Sequence, residues 1–344
     1  MAGRRVPEET LQRAVQTLHD CDGNLAKAAK RLGVHRVTFM GHINLAKERG
    51  IKIQPFTITD LPSETADPEE LIERRKKQFE RKHAAEQARK LIPIRINIDG
   101  PIGICHFGDP HVDDDGTDIG LLERHVNTVN RTPGMFGANV GDLQNNWMGR
   151  LARLYAEQST SASEAWVLAE WLIKAVPWLY IIAGNHDMWS GAGDPAKWIA
   201  AHAGRVYEEW GVRAELNFPN GKRVRINARH DFVGHSMWNP GHSPMKAIQA
   251  GWRDHLLTCG HKHTSFYAGP LKDPASGLLS YALRPAGYKI HDRYAKEKGL
   301  PDQNAFASSV TIIDPRYGDD DTRLITVIHD AEYAADVLTF LRSR

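Results

Sequence analysis

The chain has 344 residues, of which 41% are hydrophobic and 25% are charged. This composition is typical of a globular protein with a large core, and it excludes a disordered or fibrous chain. The sequence contains no apolar stretch of about 18 residues, so we expect no membrane span. The N-terminus lacks the apolar segment of a signal peptide, and three widely spaced cysteines favour a reduced, cytoplasmic protein.

The net charge of +2 is unevenly distributed along the chain. Residues 1–50 carry nine Lys and Arg against five Asp and Glu, an excess of +4, whereas residues 95–344 have a net charge of −3. A basic segment beside a slightly acidic domain favours a nucleic-acid partner for the front of the chain.

Residues 1–50 are predicted to form a small all-α module. Apolar residues recur with helical spacing from Leu11 to Leu18 and again from Leu25 to Leu32. Asn24 can cap the second helix, and Gly33 permits a tight turn before a third helix from about His35 to Glu48. Short helices joined by a glycine-containing turn are typical of a helix-turn-helix.

The string NLAKAAKRLGVHRVTFMGHINLAKERG resembles the helix-turn-helix of Fis-type and phage regulators. The resemblance implies that the third helix enters the major groove of DNA. The candidate DNA-binding residues are Arg36, Thr38, His42 and Asn44. The same packing would also support oligomerisation or protein docking, so a homo-oligomer is the alternative use of this module. The fusion of such a module to the rest of the chain resembles proteins of phages and prophages.

Residues 51–94 are predicted to be a linker. Its first part is rich in Pro, Thr and Ser and has no periodicity, whereas residues 68–91 predict one exposed helix of mixed charge. The string RRKKQFERK in this helix is able to follow a phosphate backbone, but a solvated helix face is the favoured interpretation.

Residues 95–344 show alternating strands, loops and helices. Five apolar segments are each followed by Asp, Asn or His beside glycine, and they are Ile102–Phe107, Met135–Val140, Trp178–Ala183, Val224–Ala228 and Leu256–Cys259. Functional groups gather at the carboxyl ends of strands in α/β sheets, so five such loops are expected to build one site. Two closing strands between residues 306 and 328 and a final helix over 331–342 complete the prediction.

The residue types in these loops indicate a divalent transition metal. Imidazole together with carboxylate suits Zn, Fe, Mn or Co, whereas an all-oxygen set would suit Mg or Ca. Asp109 and His111 lie two residues apart, as do His261 and His263, and this spacing points each pair to one side of an extended segment. The sequence has no Cys pair with ligand spacing, which argues against a structural zinc finger.

The ordered series D-x-H, G-D-x-x-N, G-N-H-D, H and G-H-x-H resembles the calcineurin-like metallophosphoesterases over about residues 96–315. The resemblance implies a four-layer α/β sandwich, with two mixed sheets flanked by helices. It implies two metal ions, held by Asp109, His111 and His263 on one side, by Asn185, His230 and His261 on the other, and by Asp142 between them. Manganese is the favoured metal, with Fe, Zn, Co or Ni as alternatives.

The resemblance also implies attack by a hydroxide that bridges the metals, with His186 assisting the leaving group and Asp187 orienting His186. The fourth motif offers two histidines. His230 is preferred as the ligand because it directly ends a strand, and His235 is then a candidate substrate contact. Asn145 begins the string NNW, where protein Ser/Thr phosphatases carry Asp-Arg-Gly, and it is expected to contact substrate or to support the site by hydrogen bonds. The missing Arg argues against a phosphoprotein phosphatase.

Three further features lie close to the motifs in the sequence, namely an acidic run, two tryptophans and the segment after the last motif. The acidic run Asp113, Asp114, Asp115 and Asp118 is predicted to be a solvated loop outside the site. Trp147 and Trp189 follow the second and third motifs. Stacking on a base and packing in the core or at the rim of the site are equally favoured roles for each of them. The segment from Tyr281 to Phe306 is expected to form a lid or substrate wall, with phosphate contacts from Lys289, His291 and Arg293.

Three functions compete. The favoured one is a phosphodiesterase or nuclease that acts on DNA, with the front module delivering the catalytic domain to its substrate. The alternative is a nucleotide or other small-molecule phosphoesterase whose helical module serves assembly. A non-enzymatic DNA-binding regulator is the third, and the intact ligand motifs argue against it.

Overall fold

The computed structural model describes residues 6–52, 64–189, 194–297, 299 and 307–344. The chain divides into two compact units, Met1–Lys76 and Lys77–Arg344. Among the helices in these described ranges, none is long and apolar enough to cross a membrane.

The first unit contains the three predicted helices, α1 (Glu8–His19), α2 (Leu25–Arg31) and α3 (Arg36–Glu48). Asn24 caps α2, because its side chain accepts a hydrogen bond from the Lys27 amide at 3.0 Å. Gly33 adopts a φ of +65°, a conformation that side chains disfavour, and the chain turns there. Apolar side chains from this unit form a small core, namely Ala14, Cys21, Ala28, Ala29, Phe39 and Ile43.

A long helix, α4 (Pro68–Arg89), follows, and none of its residues is buried. The prediction of an exposed helix in this segment is therefore confirmed. The Pro-, Thr- and Ser-rich part of the predicted linker falls on residues 53–63, which lie outside the described residues.

Within the described ranges, the second unit has twelve strands, which are β1 (Ile92–Arg95), β2 (Ile102–Phe107), β3 (Met135–Asn139), β4 (Trp178–Ala183), β5 (Tyr207–Glu209), β6 (Gly211–Asn217), β7 (Arg223–Arg229), β8 (Leu256–Cys259), β9 (Phe266–Lys272), β10 (Leu279–Arg284), β11 (Ser308–Ile313) and β12 (Ile325–Ile328). Its helices are α5 (Ile119–Arg131), α6 (Ala162–Ala175), α7 (Asn185–Met188), α8 (Pro195–His202), α9 (His242–Gln249), α10 (Arg293–Glu297) and α11 (Ala331–Arg342), with a 3₁₀ helix at Gly149–Glu157. β1 begins before residue 95, so the sheet structure starts earlier than predicted.

The strands form two mixed six-stranded sheets. The first sheet has the order β12–β11–β2–β3–β4–β5, in which β2 to β5 run parallel and β11 and β12 pair in antiparallel fashion. The second sheet has the order β1–β6–β7–β8–β10–β9, in which β7, β8 and β10 run parallel. The predicted fold class, two mixed sheets flanked by helices in an α/β sandwich, is confirmed.

The two sheets pack face to face. The side chains of β2 alternate between the two faces of its sheet. Ile102 and Ile104 pack against the second sheet, whereas Cys105 and Phe107 pack against the helices on the other side. α5, α6 and α11 cover the outer face of the first sheet, and α9 covers that of the second. All six residues of β2 are buried because both faces of its sheet are covered.

The five strands predicted to carry the site differ from the observed strands by at most one residue at either end. β2 and β3 pair in parallel, with Gly103 opposite Met135 and Phe107 opposite Asn139. Their carboxyl ends are therefore level, and the loops that follow them leave the sheet side by side.

Candidate metal centre

The loops after five strands bring the predicted ligand residues to one place. Asp109 and His111 follow β2, Asp142 follows β3, and Asn185 begins α7 directly after β4, while His230 follows β7, and His261 and His263 follow β8. Both sheets contribute, because β2, β3 and β4 belong to the first sheet and β7 and β8 to the second.

One cluster of donor atoms surrounds the His230 ring. Its Nε2 lies 2.9 Å from Asn185 Oδ1, 3.0 Å from His261 Nδ1 and 3.3 Å from Asp142 Oδ2. A ring nitrogen carries one proton or one lone pair, so it cannot satisfy three such neighbours by hydrogen bonding. Ligand atoms about 2.0–2.2 Å from one shared cation lie about 3 Å from each other. This spacing therefore fits a set of metal ligands.

The His230 ring is also held from behind. Its Nδ1 donates a hydrogen bond to the Val140 carbonyl at 2.9 Å, which leaves Nε2 to face the cluster. Such an outer hydrogen bond fixes the tautomer and the ring orientation of a metal-binding histidine. The structure brings His230, rather than His235, into the cluster.

A second cluster lies next to the first. His111 Nε2 lies 3.2 Å from His263 Nε2, and His263 Nε2 lies 4.0 Å from Asp109 Oδ2. Asp142 reaches both clusters: its donor atoms lie within 4.8 Å of those of His230 and His261 in the first cluster, and within 4.8 Å of those of His111, in the second cluster, and of the neighbouring His186. Asp142 is thus placed between the two clusters.

Two buried carboxylates in this site require a nearby cation to offset the cost of their burial. Asp109 is 0% exposed and Asp142 is 1% exposed, and Asp109 Oδ1 has no hydrogen-bond partner within the described part of the chain. Burying a carboxylate is costly unless it is paired with a cation or coordinates a metal. The donor set and its burial therefore fit divalent cations.

The pKa values of the candidate ligands are shifted by burial and by the buried carboxylates. Burial raises the pKa of the Asp109 carboxyl to about 7. For His230, burial lowers the pKa, but the carboxylates of Asp142 and Asp109 outweigh it and raise the pKa to about 10. Burial lowers the pKa of His263 to about 4 and also lowers the pKa of His111. These two imidazoles are therefore neutral at physiological pH and keep the lone pairs that a cation needs.

The backbone is strained at five of the candidate ligands. Positive φ angles occur at Asp109 (29°), His111 (40°), Asp142 (51°), His261 (69°) and His263 (50°). Hydrogen bonds between the loops hold these conformations, since Asp109 Oδ2 accepts from the His261 amide at 2.7 Å and the His111 amide donates to the Asp142 carbonyl at 3.1 Å. Strain of this kind in non-glycine residues clusters at functional sites.

Glycine is required where the backbone approaches these side chains. A Cβ atom on Gly184 would lie 2.1 Å from Asp142 Oδ1, and one on Gly141 would lie 2.2 Å from His230 Nδ1. Both distances are too short for any side chain, so each glycine leaves the room that a candidate ligand occupies.

We expect Gly184→Ala to lower the metal content of the chain, because the added methyl would lie 2.1 Å from Asp142 Oδ1 and must displace this carboxylate. Metal per chain would be measured by elemental analysis of the purified protein. Gly120→Ala in α5 is the matched control, since the nearest atom to its added methyl would be 3.4 Å away. If Gly184→Ala kept the full metal content, Asp142 would not belong to the site.

His186 lies beside the clusters with its ring orientation fixed. Its Nδ1 donates to the backbone carbonyl of Asn145, and its Nε2 lies 3.9 Å from Asp142 Oδ2. The rings of Trp147 and Trp189 contact it, with centroids 5.2 Å and 4.3 Å from its own. Burial lowers the pKa of His186. Trp147 is itself 8% exposed, so it packs against His186 in the interior.

Asp187 was predicted to orient His186, but its carboxylate makes other contacts. It accepts hydrogen bonds from the Leu143 amide at 3.1 Å and from the Gly184 amide at 2.8 Å. Asp187 thus joins the loops of the second and third motifs, while the His186 ring is oriented by the Asn145 carbonyl. This carbonyl has no signature in the sequence.

Asn145 is fully buried, and acidic residues hold it in place. Its amide donates to Asp113 Oδ1 at 2.7 Å, and its Nδ2 donates to Asp114 Oδ2 at 2.8 Å. The prediction that the acidic run is a solvated loop is therefore wrong for Asp113, which is 0% exposed. Asp118 instead caps α5 through the Leu121 amide. This network positions the carbonyl that holds His186.

The first residues of the segment that was expected to form a lid are part of a buried strand. Residues Tyr281–Arg284 belong to the buried strand β10, so the prediction is wrong for this part. Lys289 is 4% exposed and forms ion pairs with Asp114 at 2.8 Å and Asp292 at 3.4 Å. His291 is exposed. The side chain of Arg293 and residues 301–306 lie outside what the structure describes.

The remaining candidates lie on surfaces. Arg36, Thr38 and Asn44 are exposed on α3, and His42 on the same helix is half-buried. His235 is exposed, and its Nδ1 lies 3.4 Å from Lys262 Nζ in the last motif.

Comparisons with known proteins add little to this geometry. No protein-family model matches the sequence, and no curated protein matches it. Among solved structures, the chain is similar to the crystal structure of Vps29 from Chaetomium thermophilum, with 10% sequence identity and a TM-score of 0.34. The match covers 66% of this chain and 92% of that chain. A likeness at this level carries no information on activity or substrate.

Proposed function

We propose that this chain is a metal-dependent phosphodiesterase and that its substrate is DNA. The observation that carries the proposal is the convergence of carboxylate, amide and imidazole donors from five loops into two adjacent clusters that share Asp142. Two adjacent donor clusters that share one carboxylate fit a pair of divalent cations.

In this proposal each residue has one role. One ion, for which we propose manganese, would be held by Asp109, His111 and His263, and the second by Asn185, His230 and His261, with Asp142 shared by both. Two such cations supply a nucleophile from water and neutralise charge on the phosphoryl oxygens.

His186 would act on the leaving oxygen. Its Nδ1 proton is committed to the Asn145 carbonyl, so Nε2 is the atom that faces the clusters. Burial lowers the pKa of His186, so Nε2 of the resting imidazole has a lone pair, and it would take up a proton from solvent water before passing that proton to the leaving oxygen. The network of Asp113 and Asp114 keeps Asn145, and with it this orientation, in place.

A nucleophilic role for Cys105 or Cys259 does not fit the structure. Cys105 and Cys259 are both 0% exposed, and burial raises the pKa of the Cys105 thiol to about 12 and that of Cys259 to about 11. Neither thiol is therefore available as a thiolate at physiological pH.

For the front module we propose DNA binding through α3. The support is the charge of +4 in residues 1–50 and the exposure of Arg36, Thr38 and Asn44 on one helix. The rest of the chain has a net negative charge, so a separate basic element would favour association with a polyanion.

Arg36→Ala is expected to weaken duplex DNA binding by about 1–3 kcal/mol if this side chain contacts a base. Deleting residues 1–50 should weaken binding further and flatten its salt dependence, while hydrolysis of bis-p-nitrophenyl phosphate continues. Arg13→Ala, which removes an exposed arginine from α1, is the matched control. Undiminished DNA binding by the truncated protein would instead favour a nucleotide phosphoesterase with an assembly module.

The substrate proposal itself is tested by assaying the full chain with Mn²⁺ against single- and double-stranded DNA, cyclic nucleotides and bis-p-nitrophenyl phosphate. The proposal requires cleavage of DNA. Hydrolysis confined to cyclic nucleotides would contradict it.

A further inference from the structure

Three apolar side chains stand out from the surface in one loop. Trp238 is 92% exposed, Val233 is 88% exposed and Met237 is 84% exposed, and they are the most exposed large hydrophobic residues in the described part of the chain. Single exposed apolar residues are common, but three of this size within six positions are typical of a binding surface.

This loop lies at the edge of the candidate metal centre. Its first exposed residue, Val233, is three residues after His230, and His235 within the loop places Nδ1 3.4 Å from Lys262 Nζ. Lys262 stands between the two histidines of the last motif, so the loop and that motif are neighbours in space. The loop therefore lies beside the place where the proposed reaction would occur.

A buried arginine fixes the far end of the loop. Arg284 is 0% exposed, and its Nε donates to the Pro240 carbonyl at 3.1 Å. Its Nη1 donates to the carbonyl of Gly260, the first residue of the G-H-x-H motif. Since the backbone of the loop is anchored to the metal centre, its exposed side chains are presented at a defined position.

The surrounding sequence is depleted of negative charge. Residues 232–272 contain one carboxylate, Asp254, where the average of the whole chain would give about five. Asp254 is 0% exposed and is neutralised by Arg213 at 2.8 Å and Arg225 at 3.0 Å. The stretch also carries four basic residues, Lys246, Arg253, Lys262 and Lys272. Asp231 and Asp273 flank the stretch and lie 3.8 Å from Lys262 and 3.7 Å from Arg253, whereas Lys246 and Lys272 are exposed. The two exposed lysines therefore suit a polyanion, although the catalytic unit as a whole is slightly acidic.

We infer that the loop with Val233, Met237 and Trp238 binds unpaired bases of single-stranded nucleic acid beside the metal centre, with the Trp238 indole stacking on a base and the other two side chains adding apolar contact. This inference rests on the proposed phosphodiesterase function and narrows its substrate class. Indole rings stack on any base, and basic side chains follow the phosphates. The bases of a duplex are already stacked on each other, so the surface selects single-stranded substrate.

Binding of phosphorothioate-linked dT20, which resists cleavage, tests the inference on the full chain by fluorescence anisotropy. Trp238→Ala should weaken this binding about 5- to 150-fold, whereas Trp238→Phe should retain most of it. An abasic strand of the same length carries the phosphates without bases, so Trp238→Ala should leave its affinity unchanged. Trp198→Ala is the control, because Trp198 is 65% exposed on α8.

Equal dT20 affinity for wild type and Trp238→Ala would overturn the inference. The inference would also be overturned if Trp238→Ala lost binding to anionic vesicles, or lost dimer formation, while it kept dT20 binding. The surface would then be assigned to a membrane or to a second copy of the chain. The activity of the wild type on bis-p-nitrophenyl phosphate is measured separately. If the wild type did not hydrolyse this compound, the phosphodiesterase proposal would be refuted. The inference on base binding would still be tested by the anisotropy data alone.

Discussion

Asp142→Asn is expected to lower phosphodiester hydrolysis by about 10³-fold or more and to release bound metal. The carboxylate lies between both donor clusters, and Asn has nearly the same shape without the negative charge. Metal-ion catalysis supplies several kcal/mol of transition-state stabilisation, and each 1.36 kcal/mol corresponds to a factor of ten in rate. Metal per chain and kcat on bis-p-nitrophenyl phosphate are the two measurements.

Asp336→Asn provides the matched control for this variant, because Asp336 is an exposed carboxylate on α11. It should keep the metal content and the rate of the wild type. Retention of two metal ions by Asp142→Asn would contradict the shared role of this carboxylate.

His186→Ala is expected to lower kcat by about 10²–10⁴-fold while metal content is retained. The loss should be larger for DNA than for bis-p-nitrophenyl phosphate, because a nitrophenolate leaves without a proton. His202→Ala, which removes an exposed histidine on α8, should leave both rates unchanged.

The alternative for His186 is a ligand role, since its donor atom lies within 4.8 Å of those of His111 and Asp142. Loss of metal from His186→Ala would establish that alternative. An equal loss of rate on both substrates, with metal retained, would instead exclude protonation of the leaving group.

The strands that carry the site could be predicted because their sequence signal is local. β2, β4 and β8 are short apolar runs ended by glycine and a polar motif, and their observed bounds equal the predicted ones. The final helix α11 likewise spans the predicted residues. The site follows from these strands, because ligands placed at their carboxyl ends meet wherever the strands are neighbours.

What the sequence did not reveal depends on long-range contacts. The carbonyl that orients His186 belongs to the backbone of Asn145, and every residue has such a carbonyl. The burial of Asp113 requires a partner 32 residues away, so an acidic run looked like a solvated loop. The exposure of Trp238 is equally a property of the folded chain, since an isolated tryptophan in a sequence is more often buried.

The two-metal phosphodiesterase is tested most directly by the Mn²⁺ dependence of bis-p-nitrophenyl phosphate hydrolysis by the chelator-treated full chain, with bound metal counted in the same samples. We predict no hydrolysis by the metal-free protein and activity that rises as the second ion binds each chain. Hydrolysis without metal, or full activity with a single ion per chain, would contradict the account.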